Sequence, residues 1–458
     1  MRHSRLLALV LLVSFALKLA LLLWVGDIKP FRDEIHYLSA GSAIAHGEPI
    51  HYDDALWDEL HAPPMYPWFV AAVMWLGGGA FEIKLLQVLL STLSAWFVYR
   101  LGRSWYDERV GLLGAAIFAF YPTLVAFTHY NWNETVFLFW FSLGLWVVAP
   151  AASERAPASR LLMAGLVFGL AALTRAIVLY LLPVLVVWIY AWGRDRRLTV
   201  RNGSLLAVGF VVALLPRTIS VYGDYDGFMP LGSSAAYGWY VSYNYFEPAN
   251  ADWGFHQERN TFRQYLLAVK AGKEPRKTVV ESNPILRTRA EKRRAIEFLL
   301  EHPLLFARHS VMRVVELLNP TSFAVRHVRL GLYEHARSGE RIRDPLPRWA
   351  LMLVIAATAG SYVVLASLVV LALLSLASTP ARTLVLLVMP AFFGLHALTF
   401  GMSRYRLIML PLVAVVAAAF LLRFDECRER LLEPRRAIAA AAILALLLVV
   451  WSLNLDKL

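Results

Sequence analysis

The sequence predicts an all-α polytopic membrane protein: a bundle of about eleven transmembrane helices, with juxtamembrane helices on the outer face and one long outer loop. Three observations carry that expectation. Of 458 residues, 59% are hydrophobic and only 17% charged, well outside the composition of soluble chains. The apolar residues fall in runs of about 18–22, the length that crosses a bilayer. The basic residues behind a formal charge of +12 gather in short loops between those runs. That is where the positive-inside rule puts them, so nucleic acid is a poor candidate for a partner.

In chain order, the run Leu6–Trp24 follows Met1-Arg2-His3-Ser4-Arg5. It is too long for a signal-peptide core and lacks a small-x-small cleavage site, so it reads as the first anchor. The expected spans are 6–25, 81–101, 109–128, 134–150, 160–174, 176–192, 204–222, 349–378, 383–400, 405–423 and 437–455. The stretch from Pro63 to Gly77 offers only about ten to thirteen apolar residues after its prolines, short of a crossing. Charge parity decides how to treat it. If it does not cross, the clusters Arg100/Arg103/Arg109, Arg155/Arg160, Arg194/Arg196/Arg197/Arg201 and Arg423/Arg428/Arg430/Arg435/Arg436 all share the side of Arg2 and Arg5. It is therefore read as a juxtamembrane or re-entrant helix, which puts Asp33 on the outer face.

The same parity puts Gly223–Arg348 outside, and loops beyond about 60 residues translocate largely regardless of charge. Ser282-Asn283-Pro284 offers a helix start, and an apolar helical period then runs from Ala295 to Leu318, broken at His302-Pro303 and ending at Asn319-Pro320. This predicts amphipathic helices lying over the bilayer. The chain thus divides into an N-terminal transmembrane module, 1–222, with a first outer loop at 26–80; an outer helical region, 223–348; and C-terminal transmembrane helices, 349–458. A single cysteine, Cys427, excludes an internal disulfide and any multi-cysteine metal site.

The polar stretch Phe31-Arg32-Asp33-Glu34-Ile35-His36-Tyr37 directly follows the first span. Asp33 to Ala45 reads as one amphipathic helix closing at Gly47, with Asp33 and Tyr37 on one face and Glu34 turned about 100° away. Aspartate is a favoured helix cap, and that alone accounts for Asp33 but not for two adjacent carboxylates at a membrane boundary. A helix N-terminus also stabilises negative charge, which suits a general base that takes a proton from a hydroxyl. Glu134, in Asn131-Trp132-Asn133-Glu134-Thr135, opens the fourth span as either a helix-end residue or a second acidic site group. Arg175, in Leu173-Thr174-Arg175-Ala176, either snorkels to headgroups or faces an inner cavity. Arg404-Tyr405-Arg406 is either an interfacial anchor or a phosphate clamp, since guanidinium forks bind phosphate oxygens in pairs.

Other polar residues point to duller roles. Lys18 in the first span is expected to snorkel. His36, His51, His61 and His129 show no metal-ligand spacing, and Trp24, Trp57, Trp68, Trp75 and Trp132 read as an aromatic belt. No P-loop, dinucleotide fingerprint or Ser-His-Asp pattern occurs.

Asp33-Glu34-x-x-Tyr37 followed by Pro63-Pro64-Met65-Tyr66-Pro67 resembles the polyprenol-phosphate-sugar glycosyltransferases of the GT-C fold. That group takes in protein O-mannosyltransferases and the aminoarabinose transferases acting on lipid A. The similarity continues through Leu173-Thr174-Arg175, Leu215-Pro216-Arg217-Thr218-Ile219, Gly227-Phe228-Met229-Pro230-Leu231, Tyr237–Asn244, Glu297-Phe298 to His302-Pro303, and Arg404-Tyr405-Arg406. It implies a GT-C-like bundle in a bacterial inner membrane, the N-terminus cytoplasmic and the active site periplasmic. It also implies transfer of a hexose or pentose, with inversion, from a polyprenyl-phosphate donor to a hydroxyl of a glycan, lipid or protein. Asp33 would be the catalytic base, with Glu34 beside it. Tyr37 and Glu134 would orient the substrates, and Arg175, Arg404 and Arg406 would bind phosphate. No cofactor is required, although magnesium or manganese on Asp33, Glu34 and Glu134 suits oxygen ligands. The chain departs from the family at Ala62, where a lysine is frequent, and at Ser220-Val221, where Arg-Asn is frequent. The alternative class is a transporter or lipid flippase, against which the ionisable residues cluster at one surface rather than near the midplane.

Overall fold

The computed structural model describes residues 2–26, 28–30, 33–50, 60–152, 156–193, 195–232, 284–322, 347–399 and 401–453. The described residues are helical throughout their length apart from short connections. In chain order the helices are α1 (Arg2–Val25), α2 (Asp33–His46), α3 (Met65–Trp75), α4 (Ala80–Trp105), α5 (Glu108–Ala119), α6 (Pro122–Phe127), α7 (Glu134–Val148), α8 (Ala158–Thr174), α9 (Ile177–Trp192) and α10 (Arg196–Tyr225). There follow α11 (Pro284–Glu301), α12 (Pro303–Leu317), α13 (Arg348–Ser375), α14 (Pro380–Leu398), a 3-10 turn (Ser403–Met409), α15 (Leu410–Leu422), α16 (Phe424–Leu431) and α17 (Pro434–Ser452).

Among the described residues, eight segments are long and apolar enough to cross a membrane: His3–Val25, Ala80–Trp105, Glu134–Ala151, Arg196–Tyr225, Arg348–Ser375, Pro380–Leu398, Ser403–Leu422 and Pro434–Ser452. α8 and α9, at 17 and 16 residues, are shorter apolar helices, so a count of eleven crossings is not established. α3 has 11 residues, about 16 Å of helix, too little to cross, in keeping with the juxtamembrane expectation.

The expected span 109–128 is the one that breaks. Pro122 has no N–H to continue the ladder, so α5 ends at Ala119 and α6 restarts with Pro122 in its first turn. Elsewhere the polar residues at helix starts act as caps. Asp107 accepts from the Val110 amide at 2.9 Å, Asp195 from Arg197 at 2.8 Å and Thr379 from Arg382 at 3.2 Å. The amphipathic pair expected in the long outer segment is α11 and α12, divided at His302-Pro303. Tyr237–Asn244 and the rest of that segment, with His51 and Trp57, lie outside the described residues.

One apolar core runs from Tyr37 and Tyr66 through Phe118, Phe137, Phe168 and Trp188 to Phe392, Phe420 and Cys427. α15 is its axis, with every residue but Val413 buried from Leu410 to Phe420. α1, α13 and α17 instead leave long apolar faces exposed, such as Leu9, Leu12, Met352, Leu353, Leu446 and Leu448, the pattern of helices that meet lipid. Close approaches fix the helices that carry the polar end. A methyl group on Gly165 would strike the backbone of Leu206 and Phe210, so α8 and α10 pack backbone to backbone. Gly41 lets α2 settle on α3 in the same way, against Val70 and the Ala71 amide.

Lys18 corrects its expectation. Its side chain does not snorkel; it is fully buried, and Nζ donates to Ser14 Oγ at 3.0 Å and Ser91 Oγ at 2.9 Å. Residue 18 lies on the face of α1 that packs against α4, where hydroxyls of the two helices solvate the ammonium. Trp132 is corrected too. It is buried, not belted, stacked on Tyr130 at 4.7 Å between ring centroids.

Candidate active site

Four helix ends converge: the starts of α2 and α7, the end of α8 and the 3-10 turn before α15. Asp33, the first residue of α2, points its carboxylate at Arg404, whose Nη1 donates to Asp33 Oδ2 at 3.0 Å across 371 residues of chain. Arg404 also lies 3.9 Å, through Nε, from Glu134 Oε1. Glu134 Oε1 in turn accepts from Arg175 Nη1 at 2.8 Å. Carboxylate and guanidinium therefore alternate in one line: Asp33, Arg404, Glu134, Arg175. The line is graded in exposure. Glu134 is nearly sealed, with 4% of its side chain accessible; the two arginines show 14–15%, and Asp33 shows 31%. An incoming ligand meets the Asp33 end first.

Arg175 faces inward because α8 ends at Thr174 in extended backbone at Arg175, which turns its side chain across the mouth of the bundle. Its guanidinium lies over the Tyr405 ring at 4.8 Å, and that of Arg404 lies over Trp132 at 5.0 Å and Tyr405 at 5.5 Å. Aromatic faces hold the cations where a water shell would otherwise stand. Arg406 is not brought into the line. Its Nη1 donates to Asn319 O at 2.6 Å and its guanidinium stacks on Tyr362 at 3.5 Å, so it ties the end of α12 to α13. Two residues further along the turn, it projects from another face than Arg404.

Tyr37 and Glu34 share α2 with Asp33 but face inward. Burial, helped by the negative charges of Asp33 and Glu134 and opposed by Arg175 and Arg404, pushes the Tyr37 phenol well above its ordinary range. It therefore stays protonated and serves as a hydrogen-bond group rather than a base. Glu34 Oε1 accepts from the Asn131 amide at 2.7 Å and is buried, so it clamps the loop before α7. Asp33, Glu34 and Glu134 are thus engaged by guanidinium groups and an amide instead of converging, an arrangement that does not fit a divalent ion. Among the described residues, no three His, Cys, Asp or Glu side chains are grouped to hold a metal.

Asn133 is the site residue that the sequence reading passed over. Its Nδ2 donates to Tyr37 Oη at 3.0 Å and Thr174 O at 3.3 Å, while its Oδ1 accepts from Arg175 Nη1 at 3.1 Å. In sequence it resembles an ordinary residue preceding a helix, and only its neighbour Glu134 carries a charge to draw notice.

Comparison with known proteins agrees with the resemblance read from the motifs. Residues 61–220 match the family model described as dolichyl-phosphate-mannose-protein mannosyltransferase. An undecaprenyl phosphate-alpha-4-amino-4-deoxy-L-arabinose arabinosyl transferase of Pseudomonas aeruginosa (strain UCBPP-PA14) is 30% identical over 151 residues, 32% of this chain. A Pseudomonas fluorescens (strain ATCC BAA-477) protein of the same description is 26% identical over 163 residues, 34% of this chain. The matched stretches span only 28% and 30% of those relatives. The oligosaccharyltransferase of Archaeoglobus fulgidus, solved with zinc and sulfate, shares the fold at a TM-score of 0.51 and 15% identity. That superposition covers 94% of this chain and 52% of the archaeal one.

Proposed function

We propose that this protein is an integral-membrane glycosyltransferase that moves a sugar from a polyprenyl-phosphate donor to an acceptor hydroxyl, with inversion, at the outer end of the helix bundle. The observation that carries the reading is the Asp33–Arg404 contact. A carboxylate and a guanidinium from opposite ends of the sequence meet at 3.0 Å, with a second acid–arginine pair directly behind them. The names of the relatives and of the matched family, all lipid-phosphate-linked sugar transfer, support the same reading.

In the proposed reaction, the donor phosphate enters from the lipid side and draws Arg404 away from Asp33. Asp33 then accepts the proton of the acceptor hydroxyl as its oxygen attacks the anomeric carbon from the face opposite the phosphate. The bond from the anomeric carbon to the phosphate oxygen breaks, and Arg404 and Arg175 stabilise the charge that gathers on the departing polyprenyl phosphate. Glu134 keeps the two arginines in place, and Tyr37 presents a neutral hydroxyl to a substrate oxygen. Glu34 supports the site by holding the Asn131 amide, a supporting role rather than a second base. The acceptor is a glycan, lipid or protein hydroxyl, and the site faces the periplasm of a bacterial inner membrane, with the N-terminus cytoplasmic. The acids and arginines of the line gather at helix ends, an arrangement that argues against a carrier.

The test incubates membranes containing the protein with a panel of radiolabelled polyprenyl-phosphate sugars and follows label into lipid, glycan and protein fractions. Transfer dependent on the protein supports the reading. Movement of intact donor across the bilayer without bond cleavage would replace it with the flippase alternative.

A further inference from the structure

Asn133 stands where three chain segments meet, and its amide bonds to Tyr37 of α2, to the Thr174 carbonyl at the end of α8 and to Arg175. Its orientation follows from chemistry alone. A guanidinium can only donate and a backbone carbonyl can only accept, so Oδ1 must face Arg175 and Nδ2 must face Thr174 O. With Nδ2 also 3.0 Å from Tyr37 Oη, the tyrosine oxygen accepts from Asn133, and its own proton is directed to a different acceptor.

One amide therefore sets two groups at once. It shares Arg175 Nη1 with Glu134 Oε1, fixing where that guanidinium fork opens, and it settles which way the Tyr37 hydroxyl donates. Neither aspartate nor alanine can do both. Aspartate accepts but cannot donate to Thr174 O, and it would add a carboxylate beside an arginine already paired with Glu134. Alanine does neither. We infer that Asn133 is a positioning residue of the transfer reaction, which orients Arg175 toward the donor phosphate and Tyr37 toward a substrate oxygen. This rests on the glycosyltransferase reading above.

Three properties separate positioning from mere support of the fold. The effect must appear in phosphate affinity per folded molecule, it must run through Arg175, and aspartate must be worse than alanine despite its closer shape. The experiment measures polyprenyl phosphate affinity on purified, size-homogeneous protein, for the wild type, Asn133→Ala, Asn133→Asp, Arg175→Ala and the double variant Asn133→Ala/Arg175→Ala. Loss of one charge-assisted contact predicts about a ten-fold weaker affinity for Asn133→Ala, and a larger loss for Asn133→Asp, where a new anion faces the phosphate. Adding Asn133→Ala to Arg175→Ala is expected to change affinity less than about two-fold, because the group it orients is gone.

If the losses multiply in the double variant, or if Asn133→Ala lowers thermal stability while leaving affinity unchanged, the positioning role is overturned and Asn133 is structural. If Arg175→Ala leaves affinity intact, the role is overturned because its target does not bind phosphate. The last outcome would also remove Arg175 from the proposed phosphate site, whereas the assignment of sugar transfer with Asp33 as base stands or falls separately, on transfer by wild-type protein and its loss in Asp33→Asn.

Discussion

Arg404 is shared by two carboxylates before any substrate arrives, and that sharing has a measurable consequence. Donor phosphate competes with Asp33 for the same guanidinium, so Asp33→Asn is expected to bind polyprenyl phosphate more tightly than the wild type, by roughly three- to ten-fold, even as transfer is lost. Equilibrium binding on purified protein checks this, and weaker binding would mean that Asp33 helps to hold the donor. Arg404→Gln removes the competitor's target and leaves Asp33 and Glu134 facing each other. It is expected to weaken phosphate binding by at least about ten-fold, read in the same assay. Tyr37, held protonated by burial and by its acidic neighbours, predicts no loss of activity from its own ionisation up to at least about pH 10, and a pH–rate profile of Tyr37→Phe against the wild type would show it. At this scale charge was the legible signal. Asp33, Glu134, Arg175 and Arg404 stand out because ionisable residues are expensive near lipid. Asn133 does not, because an amide before a helix has an ordinary explanation, and its importance lies in contacts with Tyr37 and Thr174 that sequence distance conceals. Arg406 was indistinguishable from Arg404 until the 3-10 turn sent the two side chains to different partners.

The helices matter here for how they aim those residues. α2 carries Asp33 and Tyr37 one turn apart on one face and Glu34 about 100° away, and it is held against α3 through Gly41, where a side chain would strike Val70 and the Ala71 amide. Gly41→Leu is expected to force α2 off α3 and to lower transfer by about ten-fold or more while the rest of the bundle folds, measured as specific activity alongside membrane expression. Most elements were legible from apolar runs, and α11 and α12 from a helical period interrupted at Pro303. The break at Pro122 was masked by apolar residues on both sides, which keep hydropathy high while the missing N–H ends the helix. Hydropathy points Lys18 toward snorkelling, since it does not reveal that Ser14 and Ser91 stand within reach of its ammonium.

Among the described helices, the ion line lies at one end, and Arg197 and Arg423 lie at the other. Arg197, in the first turn of α10, and Arg423 with Asp107 lie at the ends of their helices opposite those that carry Glu134 and Arg175. In a background with Cys427 replaced by serine, a cysteine at exposed Glu48 is expected to react with an impermeant maleimide in intact spheroplasts, and one at exposed Arg197 only after the membrane is opened. The reverse pattern would put the site in the cytoplasm. The central claim is that Asp33 takes the proton in sugar transfer. The direct measurement is the rate of label transfer from a saturating polyprenyl-phosphate sugar by purified wild type and by Asp33→Asn, on protein matched for folding. The account predicts that Asp33→Asn binds the lipid phosphate and transfers at least about a thousand-fold more slowly; transfer within a few-fold of the wild-type rate would contradict it.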